Sequence, residues 1–138
     1  MPEDKTGFID TNIWLYAFID DDARKKDISQ AIIQSLRPVV SVQVINEICV
    51  NLIKRAKFPE AQIGELIETF YQKYEVVEMQ KELLLSASRL RQDYALSYWD
   101  SLVVAAALSS GTTTLYSEDM QHDLLIAGRV RIINPFKL

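Results

Sequence analysis

The 138-residue chain has little of several residue types that mark particular classes of protein. It has one cysteine and one histidine, which excludes an internal disulfide and a zinc site built from several such ligands. Its four glycines and four prolines form no linker. No hydrophobic run is long enough to cross a membrane or resembles a signal peptide. We therefore expect a reducing, cytoplasmic environment and no membrane contact.

Positive charge is also scarce, since 15 Lys and Arg stand against 19 Asp and Glu, a net charge of −4. Proteins that bind nucleic acid chiefly by counterion release are usually basic. Any nucleic-acid contact must therefore be local, through small groups of cations or through metal ions. The best basic candidates are Lys54, Arg55 and Lys57. Few aromatic residues lie outside the expected core, and no stacking platform for a single strand is evident.

The residues that are present have the balance of a globular protein, with 49% hydrophobic and 25% charged. The length predicts a single domain over residues 1–138. Short β-branched segments alternate with longer segments of helical periodicity, which predicts an α/β sandwich around a parallel sheet. The predicted strands are 7–10, 39–42, 75–78, 113–116 and 130–133, and the predicted helices are 13–19, 23–36, 44–57, 59–74, 81–93 and 100–109.

Four acidic residues fall where strands end or helices begin. Asp10 ends the first strand, and Asp119 follows the strand at 113–116. Asp100 opens a helix that is apolar on every side, and Glu47 lies in the early turns of the helix after strand 39–42. Ligands of open parallel sheets bind beyond the carboxyl ends of the strands. Carboxylates from four segments could therefore converge on one edge of the sheet.

Each acid also has a purely structural interpretation, in which it takes no part in catalysis or metal binding. Asp10 and Asp100 could be simple helix N-caps, because aspartate is a favoured cap. Asp119 could belong to a turn. Glu47 falls on the polar flank of its helix, so a solvated face is the better interpretation of that residue alone. No single residue decides between these interpretations.

The stretches FIDTNIWLYA, INEI, LSYWDSLVVAAAL and LYSEDMQHDLLIAGRVRIINPF, in this order, resemble a PIN domain and more narrowly the VapC-type toxins of prokaryotic toxin–antitoxin pairs. The resemblance covers essentially the whole chain and implies a three-layer α/β/α sandwich. It also implies an endonuclease acting on RNA, held in check by a small antitoxin protein and commonly paired as a homodimer. The implied catalytic and metal-binding residues are Asp10, Glu47, Asp100 and Asp119, with Thr11, Asn12 and Ser117 orienting the first acid or the substrate.

The acidic set has a clear chemical use. One pair of unit charges about 4 Å apart repels by roughly 4 kcal/mol at an effective dielectric constant near 20, so four carboxylates need protons or cations. Oxygen ligands without cysteine or clustered histidine favour Mg²⁺ or Mn²⁺ over zinc. These residue types therefore suit metal-dependent phosphodiester hydrolysis, with a metal-activated water attacking in line.

Two alternatives stay open. A haloacid-dehalogenase-like phosphatase also places an aspartate after its first strand, but that family needs a second aspartate where this chain has Asn12. A PIN-fold module without catalysis that binds RNA or protein is the other, although all four acids are present. The roles of Glu118, His122 and Asp123 are open, and Asp123 stands where close relatives would be expected to have glycine.

Overall fold

The structure, a computed structural model, describes residues 5–19 and 22–138. No helix in these two ranges is long and apolar enough to span a membrane. The elements, in chain order, are β1 Thr6–Ile9, α1 Thr11–Phe18, α2 Ala23–Ser35, β2 Arg37–Ser41, α3 Val42–Ala56, α4 Glu60–Lys73, β3 Glu75–Val77, α5 Lys81–Asp93, α6 Tyr98–Ser110, β4 Thr114–Tyr116, β5 Leu125–Ile126 and β6 Val130–Ile133, followed by a 3₁₀ helix at Pro135–Lys137.

The six strands form one sheet in the order β3-β2-β1-β4-β6-β5. Every pairing is parallel except that of β5 with β6. The chain moves from β1 outward to β2 and β3, and then crosses back to β4 on the other side of β1. The strand order therefore reverses between β1 and β4, the kind of position where open α/β sheets bind ligands.

The helices lie on both faces of this sheet. Right-handed crossovers place α1 to α4 on one face and the return helices α5 and α6 on the other. In agreement, α1 packs against α2 and α3, α3 packs against α4, and α5 packs against α6. The expected three-layer α/β/α sandwich with a mostly parallel sheet is confirmed.

The central strands are rich in apolar side chains, which is why both faces of these strands are buried. Phe8, Ile9 and Val40 in β1 and β2 are fully buried. In α6 every residue from Ser101 to Leu108 is buried, and Gly111 ends the helix at a φ of 80°, which glycine adopts without strain. The carboxyl ends of these buried strands form the sheet edge at which the polar residues lie.

The antiparallel strand β5 was not predicted. It forms a hairpin with β6 through the three-residue loop 127–129, in which Ala127 and Gly128 both have positive φ. The Arg129 N–H donates to the Ile126 carbonyl at 2.9 Å and closes the turn. A turn whose two central residues have positive φ suits the twist of a hairpin, but Ala-Gly is a weaker signal for it than Asn-Gly.

Candidate functional site

The four predicted acids line one cavity of about 190 Å³ at the carboxyl ends of β1 and β4. β1 and β4 are paired neighbours, so the residues that follow them are brought together at the point where the strand order reverses. The structure therefore places acids from four separate segments around one space. The cavity is lined by Asp10, Thr11, Asn12, Gln43, Glu47, Asn51, Trp99, Asp100, Val103 and Asp119.

Asp10 is both a helix cap and a wall of this cavity. Its Oδ1 accepts a hydrogen bond from the Thr11 backbone N–H at 2.8 Å, and its Oδ2 accepts one from the Ser117 hydroxyl at 2.9 Å. Burial raises the pKa of Asp10 to about 6, and the charges of Glu47 and Asp100 add to the rise against these two hydrogen bonds. An anion at this position is therefore costly unless a cation joins it.

Thr11 and Asn12 connect the remaining acids to Asp10. The Thr11 hydroxyl donates to Glu47 Oε1 at 2.7 Å, and the Asn12 side-chain amide donates to Asp119 Oδ2 at 2.8 Å. The Thr11 side chain therefore holds Glu47, and the Asn12 side chain holds Asp119. The side chain that holds Asp10 is that of Ser117.

Glu47 does not lie on a solvated face, so that interpretation of the residue was wrong. It is half-buried and projects into the cavity from α3 together with Gln43 and Asn51, which are each four residues away. Residues four apart share one face of a helix. The polar flank of α3 therefore faces the acidic cavity.

Asp100 is not the N-cap of α6. The cap is Ser97, whose hydroxyl accepts a hydrogen bond from the Asp100 backbone N–H at 3.1 Å. Asp100 lies in the first helical turn, where the helix dipole favours a negative charge. Its side chain lines the acidic cavity and also a neighbouring cavity of about 310 Å³.

Asp119 is the most exposed of the four acids. Partial desolvation of its carboxyl is the largest cause of its raised pKa, followed by the charges of Glu118 and Asp100. The hydrogen bond from Asn12 and the charge of Lys25 act in the opposite direction. An exposed side chain held by one neutral amide can move towards a ligand more easily than the doubly bonded Asp10.

The donors fit a hard divalent cation by their chemistry, since all four are carboxylates. The salt bridges of Lys25 and Arg131 go to Glu118 and Asp123, outside the cavity lining. In the ranges that the structure describes, no three Asp, Glu, His or Cys side chains already lie together as a ligand set. To coordinate one ion together, some of the carboxylates would therefore have to move inward from the cavity wall.

The three residues whose roles were open lie outside the cavity lining. Glu118 accepts hydrogen bonds from the Tyr16 hydroxyl and from Lys25. His122 Nδ1 accepts the Asn134 backbone N–H at 2.9 Å, which leaves that nitrogen unprotonated. Asp123 has a φ of 71°, a conformation that glycine adopts easily, and it shapes a turn and forms a salt bridge with Arg131.

Sequence reasoning missed Gln43, Asn51 and Trp99 in the lining. The four-residue spacing of Gln43, Glu47 and Asn51 was a usable signal. Trp99 adjoins Asp100 in an apolar stretch, but it is 62% exposed instead of buried. An exposed aromatic side chain therefore does border the cavity.

The fold and the site define an α/β protein with an acidic ligand cavity where its strand order reverses. A sequence model of the PIN domain matches residues 7–125, so the chain belongs to the PIN domain family. This membership leaves the dehalogenase-like alternative without support. A search of curated protein sequences gives no significant match.

Several solved structures share this fold. VapC20 of Mycobacterium tuberculosis, described as a toxin that cleaves the sarcin-ricin loop, is 19% identical with a TM-score of 0.67 over 82% of this chain and 89% of that one. A toxin–antitoxin complex from Klebsiella pneumoniae is 16% identical with a TM-score of 0.70 over 94% and 97%. DNA-bound VapBC from Salmonella typhimurium is 16% identical with a TM-score of 0.64 over 93% and 96%. At these identities the likeness shows that the fold is shared.

Proposed function

We propose that this protein is an endoribonuclease that depends on Mg²⁺ or Mn²⁺, and that it is the toxin of a toxin–antitoxin pair. The observation that carries the proposal is the convergence of four carboxylates on one cavity at the reversal of strand order. RNA as the substrate is supported by the VapC20 description of sarcin-ricin loop cleavage.

Asp10, Glu47, Asp100 and Asp119 would hold the metal. When bound, a divalent ion supplies an activated water, orients the phosphodiester and stabilises charge on the leaving oxygen. It also brings positive charge to a polyanion, which a protein of net charge −4 needs.

The protein itself supplies the positioning. Asp10 is fixed at two oxygens by Thr11 and Ser117, so it serves as the rigid ligand. Glu47 is fixed at one oxygen by the Thr11 hydroxyl. Asp119, at the open side, can adjust to the substrate. Thr11 thus holds the first two acids at a set distance through its backbone and its side chain.

The remaining partners are proposed from the relatives and from the surface. The Klebsiella and Salmonella structures are described as toxin–antitoxin or VapBC assemblies, which supports an antitoxin for this chain. The homodimer stays a prediction from the family resemblance alone. Lys54 and Arg55, exposed about one turn beyond Asn51 on α3, and Lys57, exposed at the end of that helix, are candidates for contacts with phosphates outside the cavity.

The test is cleavage of several RNAs by the purified protein in MgCl₂ or MnCl₂, with Asp100→Asn and the control Asp123→Asn. Loss of a metal ligand removes several kcal/mol of transition-state stabilisation, so we expect Asp100→Asn to be at least ~100-fold slower. Asp123→Asn should cleave normally, because Asp123 is exposed and asparagine tolerates its positive φ. Undiminished cleavage by Asp100→Asn would overturn the metal site, and no cleavage by the wild type would favour a binding module.

A further inference from the structure

A second cavity, of about 470 Å³, opens beside the acidic one. Its walls are mostly apolar, and three residues, Gln43, Glu47 and Trp99, line both cavities. The cavity of about 310 Å³ adjoins the acids on the side of Asp100 and Asp119. The acidic cavity therefore adjoins two other cavities with which it shares lining residues, and we call the three together the groove. We call the larger cavity the Trp99 pocket; it is lined by Val42, Gln43, Asn46, Glu47, Met79 and Trp99.

Trp99 presents an open aromatic surface in this groove. Its side chain is 62% exposed, although it directly precedes Asp100 in the first turn of α6. The ring lies edge to face with Tyr98, with centroids 5.3 Å apart, and the Arg91 guanidinium lies 4.3 Å from the Tyr98 ring centroid. Trp99 is thus supported by Tyr98, and most of its own surface remains available for a ligand.

Gln43 adds an unused hydrogen-bond acceptor. The residue is only 8% exposed, and its amide nitrogen donates a long 3.5 Å hydrogen bond to the Trp99 carbonyl, which orients the side chain. Among the described residues its Oε1 has no hydrogen-bond partner. A buried acceptor without a partner is costly, and a small turn of this loosely held side chain would offer the acceptor to a ligand that brings an N–H donor.

We propose that the Trp99 pocket holds one unpaired nucleobase of the RNA strand whose phosphate lies at the acids, and this rests on the proposed function. The base stacks on the Trp99 indole and donates an N–H to Gln43 Oε1. Only an unpaired base has its face and its hydrogen-bonding edge open together. The pocket shares Glu47 with the acidic cavity, so a strand bound at the acids is continuous with it.

The test is binding of fluorescein-labelled single-stranded RNA of about eight nucleotides in CaCl₂, with intact RNA verified on a gel. We expect Trp99→Ala to weaken binding about tenfold and Trp99→Phe to keep most of it, because stacking on aromatic rings has this magnitude. Gln43→Met should weaken binding several-fold. Tyr71→Ala, which removes an aromatic side chain of similar exposure from α4, should bind as the wild type does.

Intrinsic fluorescence gives a second readout that does not depend on cleavage. Trp14 is 1% exposed and Trp99 is 62% exposed, so stacking should quench the emission of Trp99 alone. Quenching by the RNA should be absent in Trp99→Phe and absent with an abasic strand of the same length. Equal RNA binding by wild type and Trp99→Ala would overturn the base site. If Trp99→Ala also changed the sedimentation of the protein, the pocket would be assigned to a protein interface. Failure of the wild type to bind or cleave any RNA would instead overturn the proposed function.

Discussion

Glu118 and Asp119 are adjacent in the chain but have opposite electrostatic surroundings. Glu118 forms an ion pair with Lys25 and accepts the Tyr16 hydroxyl at 2.7 Å. The Lys25 ammonium also lies 5.0 Å from the Tyr16 ring centroid and 5.3 Å from that of Phe136. The chain thus neutralises Glu118 with its own cation.

Asp10, Glu47 and Asp119 are held by neutral groups. The donors to Asp10, Glu47 and Asp119 are a backbone N–H, two hydroxyls and one amide. The pKa values of Asp10 and Asp119 are raised, and the charge of Lys25 offsets the rise at Asp119 only in part. The chain pairs Glu118 with a lysine, and we propose that the neighbouring cavity acids receive their cation from outside. This contrast is the physical argument for a metal site.

The largest effect is expected from giving the cavity its own cation. Asn51 lines the cavity one turn after Glu47, so Asn51→Lys would pair with Glu47 as Lys25 pairs with Glu118. We expect RNA cleavage to fall at least ~100-fold, because the lysine competes with the divalent ion. The measurement is single-turnover cleavage at increasing MgCl₂.

Asn51→Met is the matched control for this change, since it has a similar length and no charge. It should keep far more activity than Asn51→Lys. Equal loss in both variants would mean that Asn51 matters through its hydrogen bond to the Glu47 carbonyl, and the charge argument would fail.

The next largest effect is the change of folding stability with pH in the metal-free protein. The pKa of Asp10 is about 6 when folded, above its ordinary value of 3.8, so the folded state binds this proton more tightly than the unfolded state. The resulting stability is fully present below about pH 4 and is lost as the pH rises through about 6. At 1.36 kcal/mol per pKa unit, the loss is roughly 2–3 kcal/mol. Urea unfolding in EDTA should show this fall for the wild type and not for Asp10→Asn. A wild-type free energy of unfolding that rises over this range would contradict it.

Magnesium binding should restore the folding stability that is lost as the pH rises. A ligand present at 100 times its Kd stabilises the folded state by about 2.7 kcal/mol. For a chain of this size we expect a Tm increase of roughly 5–10 °C at neutral pH. Differential scanning fluorimetry with MgCl₂ should show the shift in the wild type and in Asp123→Asn, and little of it in Asp10→Asn. An equal shift in all three proteins would place the ion elsewhere.

Much of the fold was predictable because its signals are local. The apolar residues Val39 and Val40 of β2 are buried, and Gly111 marks the end of α6 as predicted. The two-residue strand β5 was missed because its existence depends on pairing with β6. Helix α6 begins two residues before the predicted start, since its cap is Ser97 and not an acid.

The site was less predictable, because its decisive facts are tertiary. The four acids were placed at one sheet edge from strand ends and family resemblance, and their metal-binding role stays a prediction. The polar flank that carries Glu47 has the same sequence pattern whether it faces solvent or a cavity. Trp99 in an apolar stretch looks like a core residue. The hydrogen bond from Asn12 to Asp119 joins residues 107 positions apart, and no local pattern announces it.

The smallest expected effect concerns Glu118, the acid that the chain neutralises with its own lysine. Glu118→Gln removes the ion pair with Lys25 but keeps an acceptor for the Tyr16 hydroxyl. Because ion pairs near the surface are screened by water and salt, we expect the Tm to fall by only a few degrees, and by less in high salt. The Tm increase in MgCl₂ should be unchanged, since Glu118 lies outside the cavity lining. If Glu118→Gln abolished that increase, Glu118 would belong to the metal site. Glu118 and Asp119 would then both bind the metal ion, and Lys25 would compete with that ion for Glu118.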